Sequence, residues 1–227
     1  MSTQLEHTQS YLLTHHGSDG QLAAQHTQDN HTRNHDESFW RFWYQWTEKT
    51  LPSDGHVVDL GAGIGLFVQT MAQRFPDLST TGIECAPYML ERMVDLPSNG
   101  RIIIDDLNAP SSLFQKGSID TCIANMLIHE LHQPILLFKQ VKHWLKPGGR
   151  LILIDMVRQP LESYLTHKHP DATQLERDQL EDSFQHFLEH NRYTPEDLSF
   201  MLQHCGFEVE ILEPFKSGRA VRIAATA

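Results

Sequence analysis

The chain has 227 residues, 40% hydrophobic and 21% charged, which at about 100–200 residues per domain makes one large domain, or a core domain with a modest cap. That composition excludes a disordered chain, which buries too little apolar surface to order itself. Eighteen Lys and Arg against 29 Asp and Glu leave a formal charge of −11, unrelieved by any basic block, so phosphate backbones and anionic membranes are repelled and neither is an expected partner.

Residues 1–35 are rich in Gln, Thr, Asn and His, with few apolar anchors beyond Tyr11, Leu12, Leu13 and Leu22. They hold no basic region followed by an apolar run, so the chain reads as cytoplasmic. A loosely packed, peripheral arm is expected. Six of the fifteen His lie here, at positions 7, 15, 16, 26, 31 and 35. Their spacing is irregular and no Cys, Asp or Glu joins them in a ligand cluster, so a solvated polar arm is expected, and no metal.

Phe39 to Trp46 packs six of the twenty aromatics into eight residues. Phe39, Phe42, Trp43 and Trp46 share one face of a helix and dock it on the domain. Trp40 and Tyr44 form a second stripe, which is harder to bury on the same surface and is a candidate lining for a substrate pocket.

From His56 onward strands and helices alternate, as in a parallel sheet covered by helices. Strands are expected at 56–60, 80–83, 101–104, 119–124 and 150–155, with helices at 66–74, 88–95 and 135–145. Residues 158–193 interrupt the alternation; Leu175, Leu180, Phe184, Phe187 and Leu188 give them an amphipathic helix, read as a cap. A helix starts at Thr194-Pro195-Glu196, and strands 208–212 and 220–225 form a hairpin around Lys216-Ser217-Gly218. Cys85, Cys122 and Cys205 have no CxxC spacing and are read as reduced, buried thiols.

The sharpest local signal is Val57-Val58-Asp59-Leu60-Gly61-Ala62-Gly63-Ile64-Gly65, a strand entering a glycine turn and then a helix. A dinucleotide fingerprint requires G-x-G-x-x-G/A; here the third glycine comes one position early, and Leu66 stands where Gly or Ala is needed. Asp59 would repel a pyrophosphate and attract a cation. Glu84, ending the next strand, is placed to accept hydrogen bonds from both hydroxyls of a ribose. The ligand therefore carries a ribose and a positive charge, with little phosphate. S-adenosylmethionine meets that description better than a nicotinamide dinucleotide.

Together with Asp105-Asp106-Leu107, Ser118-Ile119-Asp120 and Leu145-Lys146-Pro147-Gly148-Gly149-Arg150-Leu151, these motifs run in order over residues 56–157. The chain resembles a class I S-adenosylmethionine-dependent methyltransferase of the small-molecule type. The resemblance implies an α/β, Rossmann-like doubly wound seven-stranded sheet with an antiparallel last strand, an N-terminal helical arm and a helical cap insertion. Residues 1–50 would be the arm and aromatic helix, acting as a lid, and 51–227 the cofactor-binding domain with its cap at 158–193. By the family pattern the Gly61, Ala62, Gly63 and Gly65 backbone holds the methionine part of the cofactor and Asp59 orients its ammonium. Glu84 binds the ribose, Met89 or Ala86 touches the adenine, and Asp105 or Asp106 with Leu107 reads the adenine edge. Asn125, with Met126 beside it, faces the methionine end. Cys85, next to Glu84, is read as small packing at the cofactor.

Methyl transfer from a sulfonium depends mainly on alignment, and needs a base only where the acceptor must lose a proton. His129, in Asn125-Met126-Leu127-Ile128-His129-Glu130-Leu131-His132, suits that role and that of an acceptor contact. A packing role for the same ring stands beside them. Glu130 and His132 are expected to face solvent, and Asp155 to contact the acceptor or to fix the start of the cap. The loop is not Asn-Pro-Pro-Tyr, which argues against a base or amide acceptor. His167 and His169 form a His-x-His pair without a third ligand. The expected activity is methyl transfer to a small organic acceptor through O, N, S or C; a binding module that keeps the cofactor pocket but serves as a partner subunit is the alternative.

Overall fold

In the computed structural model, residues 3–111, 113–172 and 174–227 are described. The arm forms α1 (Gln4–His15) and α2 (Gly20–Asn34), and the aromatic segment forms α3 (Glu37–Trp43) continued by a π-helical turn, Tyr44–Glu48. The core follows as β1 (His56–Leu60), α4 (Leu66–Arg74), β2 (Ser79–Glu84), α5 (Pro87–Leu90), β3 (Gly100–Ile104), β4 (Ile119–Asn125), a 3₁₀ turn (Ile128–Glu130), α6 (Ile135–Trp144) and β5 (Leu145–Met156). Helices α7 (Leu161–Lys168) and α8 (Arg177–His190) make the cap; α9 (Pro195–His204), β6 (Glu208–Phe215) and β7 (Ala220–Thr226) complete the chain.

The seven strands form one sheet in the order β3-β2-β1-β4-β5-β7-β6. All neighbours up to β5 are parallel, and β7 runs antiparallel to both β5 and β6. The expected doubly wound sheet is what forms. Its central strands are buried on both faces, and consecutive residues split between two cores as the two-residue strand period requires. Val58, Cys122 and Leu151 pack with α6 and α9 on one face. Val57, Ile123 and Ile152 pack with α3 and α4 on the other.

The aromatic helix divides as its spacing predicts. Phe39, Phe42 and Trp43 are buried against the sheet. Trp40 stacks flat on Phe67 at 6.4 Å and lies under the Arg74 guanidinium at 4.5 Å, while Tyr44 is 54% exposed. Neither ring reaches the main cavity, so the expectation that they line a substrate pocket is corrected: α3 docks on the helix-covered face of the sheet, away from the strand tips.

Two further expectations change. The arm is not loosely packed, because Thr3 with Glu6 and Asp19 cap its helices, and Leu12, Ala23 and Ala24 build a small core with Ile64, Cys85, Ala86 and Met89. In the cap, α8 buries Ser183 and Phe187, whereas Leu180, Phe184 and Leu188 are exposed. The side of α8 that carries Ser183, His186 and His190 is the one turned inward.

Trp43→Ala is expected to cost about 3–5 kcal/mol in a urea melt, as large buried aromatics do. Tyr44→Ala should change stability by less than about 0.5 kcal/mol.

Candidate active site

The strand tips of β1, β2 and β4 open into a cavity of about 670 Å³, roofed by α1, α2 and α8, a size usual for small-molecule sites. Of the cofactor residues named from the sequence, Asp59, Gly61, Ala62, Gly63, Glu84, Cys85, Met89, Asp105, Asp106, Leu107, Asn125 and Met126 line it. Gly65 does not. It caps α4 at φ 82° and lies so close to the Met93 sulfur that a Cβ would sit 2.5 Å from it, so its work is in the backbone turn.

Two carboxylates define the floor. Glu84 Oε2 accepts from the Gly63 N–H at 2.8 Å, and Oε1 accepts from the Cys85 and Ala86 N–H groups, each at 2.7 Å. Burial raises the Glu84 carboxyl pKa and these three donors work against that rise. Asp59 is buried beside it and accepts no hydrogen bond among the described residues. Burial, with the Glu84 charge adding, pushes its carboxyl up to about 8, so it is largely neutral at pH 7 until a cation joins it.

The two candidates for the adenine edge separate. Asp105 accepts from the Ser111 N–H and hydroxyl, both at 2.9 Å, and belongs to its own loop. Asp106 is buried; its Oδ2 accepts from the Thr8 hydroxyl of α1 at 2.8 Å, and its Oδ1 accepts from the Asn108 N–H. Gln9 donates to the Cys85 carbonyl at 2.9 Å. Helix α1 is thus bolted to the rim on which an adenine would lie.

The opposite end is built from imidazoles. His129 lines the cavity with its Nδ1 2.5 Å from Asp155 Oδ1, and Asp155 Oδ2 accepts from the Ile128 and His129 N–H groups at 2.6 and 3.2 Å. Burial opposes charge on His129, but the Asp155 carboxylate outweighs it and the net shift is upward. Asp155 is itself fully covered and lies outside the cavity lining. The expected acceptor contact is therefore corrected to a positioning role, since its oxygens are consumed in fixing the 128–130 turn and the His129 ring.

Glu130 also departs from expectation. It lines the cavity and takes a 2.9 Å hydrogen bond from His16 Nε2, so only His132 of that pair is exposed, with its ring against Tyr11. His15 and His190 complete this end with ring centroids 4.3 Å apart. Burial above all drives them down, His15 to about 4 and His190 to about 2, so both are neutral at pH 7. The solvated-arm reading of His15 and His16 is overturned. Sequence reasoning missed this group because its members come from α1, the turn after β4 and the end of α8. The signals were Thr8, Leu12 and His15 on one face of a capped helix, and His186 and His190 four residues apart in the cap.

Among the described residues the lining holds six carboxylates and eight histidines but no Lys or Arg. That donor set fits a cofactor bearing an ammonium, a sulfonium and a ribose.

A methyltransferase domain profile matches residues 32–212 of this chain. Phosphoethanolamine N-methyltransferase 1 of Arabidopsis thaliana is 30% identical over 108 residues, 46% of this chain and 21% of that protein. Ubiquinone biosynthesis O-methyltransferase of Xanthomonas axonopodis pv. citri is 24% identical over 186 residues, 73% of this chain and 70% of that protein. The chain thus spans about a fifth of the first relative's length and 70% of the second's. In fold it is similar to phosphoethanolamine N-methyltransferase 2 of Haemonchus contortus, solved with S-adenosyl-L-methionine, at a TM-score of 0.61 and 14% identity over 82% of this chain and 52% of that one.

The raised Asp59 pKa carries a sign for stability. A carboxyl whose folded pKa lies above its unfolded value contributes stability fully present below about pH 4 and lost as pH rises through about 8. Asp59→Asn removes that loss, so the melting temperature of the variant relative to wild type, both without ligand, should rise steadily between pH 5 and pH 8.5 in calorimetric scans.

The profile match over most of the chain, the sheet topology and the cation-accepting strand tips agree, and the protein belongs to the methyltransferase domain family as a class I S-adenosylmethionine-dependent methyltransferase.

Proposed function

We propose that the protein methylates a small organic acceptor that enters between the cofactor's sulfonium and the His129 end of the cavity. The observation that carries this reading is the division of one cavity into a carboxylate floor and an imidazole end, with no Lys or Arg in its described lining. When bound, the cofactor supplies an activated methyl group. Asp59 holds the cofactor ammonium, Glu84 a ribose hydroxyl through the one Oε2 lone pair its three N–H donors leave free, and Asp106 the adenine edge. Gly61 and Gly63, at φ 73° and 55°, bring bare backbone against the methionine part where a side chain would intrude. His129, set by Asp155, meets the acceptor through Nε2, the ring nitrogen that Asp155 leaves free. Helices α1, α2 and α8 exclude water and hold donor and acceptor in line, which supplies most of what this displacement needs.

The lining also restricts the acceptor. A phosphorylated acceptor would find carboxylates and neutral imidazoles where it needs Lys or Arg. A neutral or cationic acceptor, or an anionic one that arrives with its own counter-charge, fits better. The N-methylating and O-methylating relatives differ in the atom they modify, and helix α1, which brings His15 to the acceptor end, lies outside the matched residues 32–212.

Calorimetric titration with S-adenosylhomocysteine should show binding of one ligand per chain, and no binding at millimolar ligand would defeat the reading. Glu84→Ala should weaken it at least tenfold, about 1.4 kcal/mol; unchanged affinity would mean the ribose lies elsewhere. Incubation with isotopically labelled cofactor and a metabolite extract should yield a labelled small molecule. An unlabelled extract would leave a cofactor-binding partner subunit as the correct reading.

A further inference from the structure

His15, His129 and His190 each bring one ring nitrogen to a common point, with the three atoms within 4.8 Å of one another. Three facts about this cluster point to a ligand of its own. His15 is 7% exposed, and its Nε2 and the Nδ1 of His190 are buried without any hydrogen-bond partner. Buried unpaired ring nitrogens are costly, and a pair of them in one place calls for something that accepts their lone pairs. The third ring is anchored from behind, its Nδ1 on Asp155, which is the carboxylate–histidine arrangement that fixes the tautomer of a metal-ligating imidazole and leaves Nε2 as the donor. Finally, Glu130 and Glu189 flank the cluster in the cavity wall and bring negative charge without taking a ligand position.

We propose that His15, His129 and His190 form a three-imidazole site for a divalent transition-metal ion, zinc foremost, with its fourth position open to the acceptor end of the cavity. Neutral imidazole nitrogens suit Zn²⁺ and its borderline neighbours, and three protein ligands plus one open position is the arrangement of catalytic zinc sites. Nitrogens at bonding distance around a tetrahedral ion stand roughly 3.3 Å apart, so from separations within 4.8 Å the cluster closes by at most about 1.5 Å when the ion enters. Because His15 comes from α1 and His190 from α8, the ion would also pin the lid and the cap to the turn after β4. An ion held by neutral ligands keeps both its charges and lowers the pKa of a hydroxyl or thiol in its open position; the acceptor is then presented as alkoxide or thiolate, its proton having left to solvent. This inference rests on the acceptor lying at the His129 end, but the site itself is independent of that reading and is tested without cofactor.

The test is titration of the full-length, metal-stripped protein with Co²⁺, read by the visible absorption of the bound ion, and with Zn²⁺, read by calorimetry. One ion per chain is expected, with the intense visible bands of four-coordinate Co²⁺. His190→Ala and His15→Ala should abolish binding or weaken it more than about 100-fold, and Asp155→Asn, which reaches the cluster only through His129 and its turn, should weaken it about 10–100-fold. His167→Ala, altering an exposed ring outside the cluster, should change nothing. Should the cluster variants fail to fold, X-ray absorption at the zinc edge of the wild-type complex decides the matter, with three imidazoles at about 2.0–2.1 Å expected. No uptake by the wild type, fewer than three imidazole neighbours, or uptake unchanged in folded His15→Ala and His190→Ala would overturn the site. S-adenosylhomocysteine binding measured on the same metal-stripped sample keeps this outcome distinct: binding of the cofactor product without metal uptake defeats only the metal inference.

Discussion

The Glu84 carboxylate is the knot that ties the site together. It ends β2, and its two oxygens gather N–H groups from the glycine loop after β1, at Gly63, and from the start of the loop after β2, at Cys85 and Ala86. Two loops leaving adjacent parallel strands are thereby fixed to each other by one side chain. The cost of burying that charge is offset by three charge-assisted bonds, and one lone pair of Oε2 remains for a ligand hydroxyl. Burial, with the Glu84 charge adding, raises the neighbouring Asp59 carboxyl to about 8, and no such donors oppose it. One buried acid is therefore satisfied by the protein, and the other is left for the ligand's positive charge.

The lid depends on the same loops. Helix α1 reaches them through Gln9, which bonds to the Cys85 carbonyl, and through Thr8, which bonds to Asp106; α2 packs Ala23 and Ala24 on Ile64 and Met89. A Cβ on Gly63 would sit 3.1 Å from Thr27 of α2, so the glycine that lets backbone approach a ligand also lets the lid come down. Most of these lid contacts are made to residues assigned to the cofactor. Helices α1 and α2 and the loops at the strand tips are consequently held by one set of contacts.

The core was legible because its signals are local. Val57 to Gly65 shows a strand, a turn and a helix start within nine residues, and Glu84 follows at the spacing a doubly wound sheet imposes. The antiparallel β7 was implied by the family resemblance that the same run of motifs carries. What escaped was what only tertiary contact creates. In the arm, short polar helices are stabilised by caps and by contacts to the rim, with little apolar periodicity to betray them. In the cap, the apolar residues Leu180, Phe184 and Leu188 pointed to the wrong face, because α8 turns Ser183, His186 and His190 inward. Trp40 and Tyr44 misled in the opposite sense: aromatic bulk suggested a pocket, but the register of α3 places those rings beside Phe67, Arg74 and solvent.

The distribution of charge in the cavity separates its two ends. At the floor, Asp59 and Glu84 stand in a low-dielectric setting where a cationic ligand restores the favoured charge state of both. At the other end the imidazoles of His15 and His190 are neutral, and two nearby carboxylates, Glu130 and Asp155, are engaged by His16 and His129. A sulfonium bound at the floor would have its positive charge compensated from behind and would meet the His15 and His190 imidazoles in front. Methyl transfer removes that positive charge, so carboxylates that stabilise it too strongly in front would oppose the reaction. Keeping the acids behind the sulfonium and the imidazoles ahead of it lets the same cavity bind the charged donor and release it as a neutral thioether.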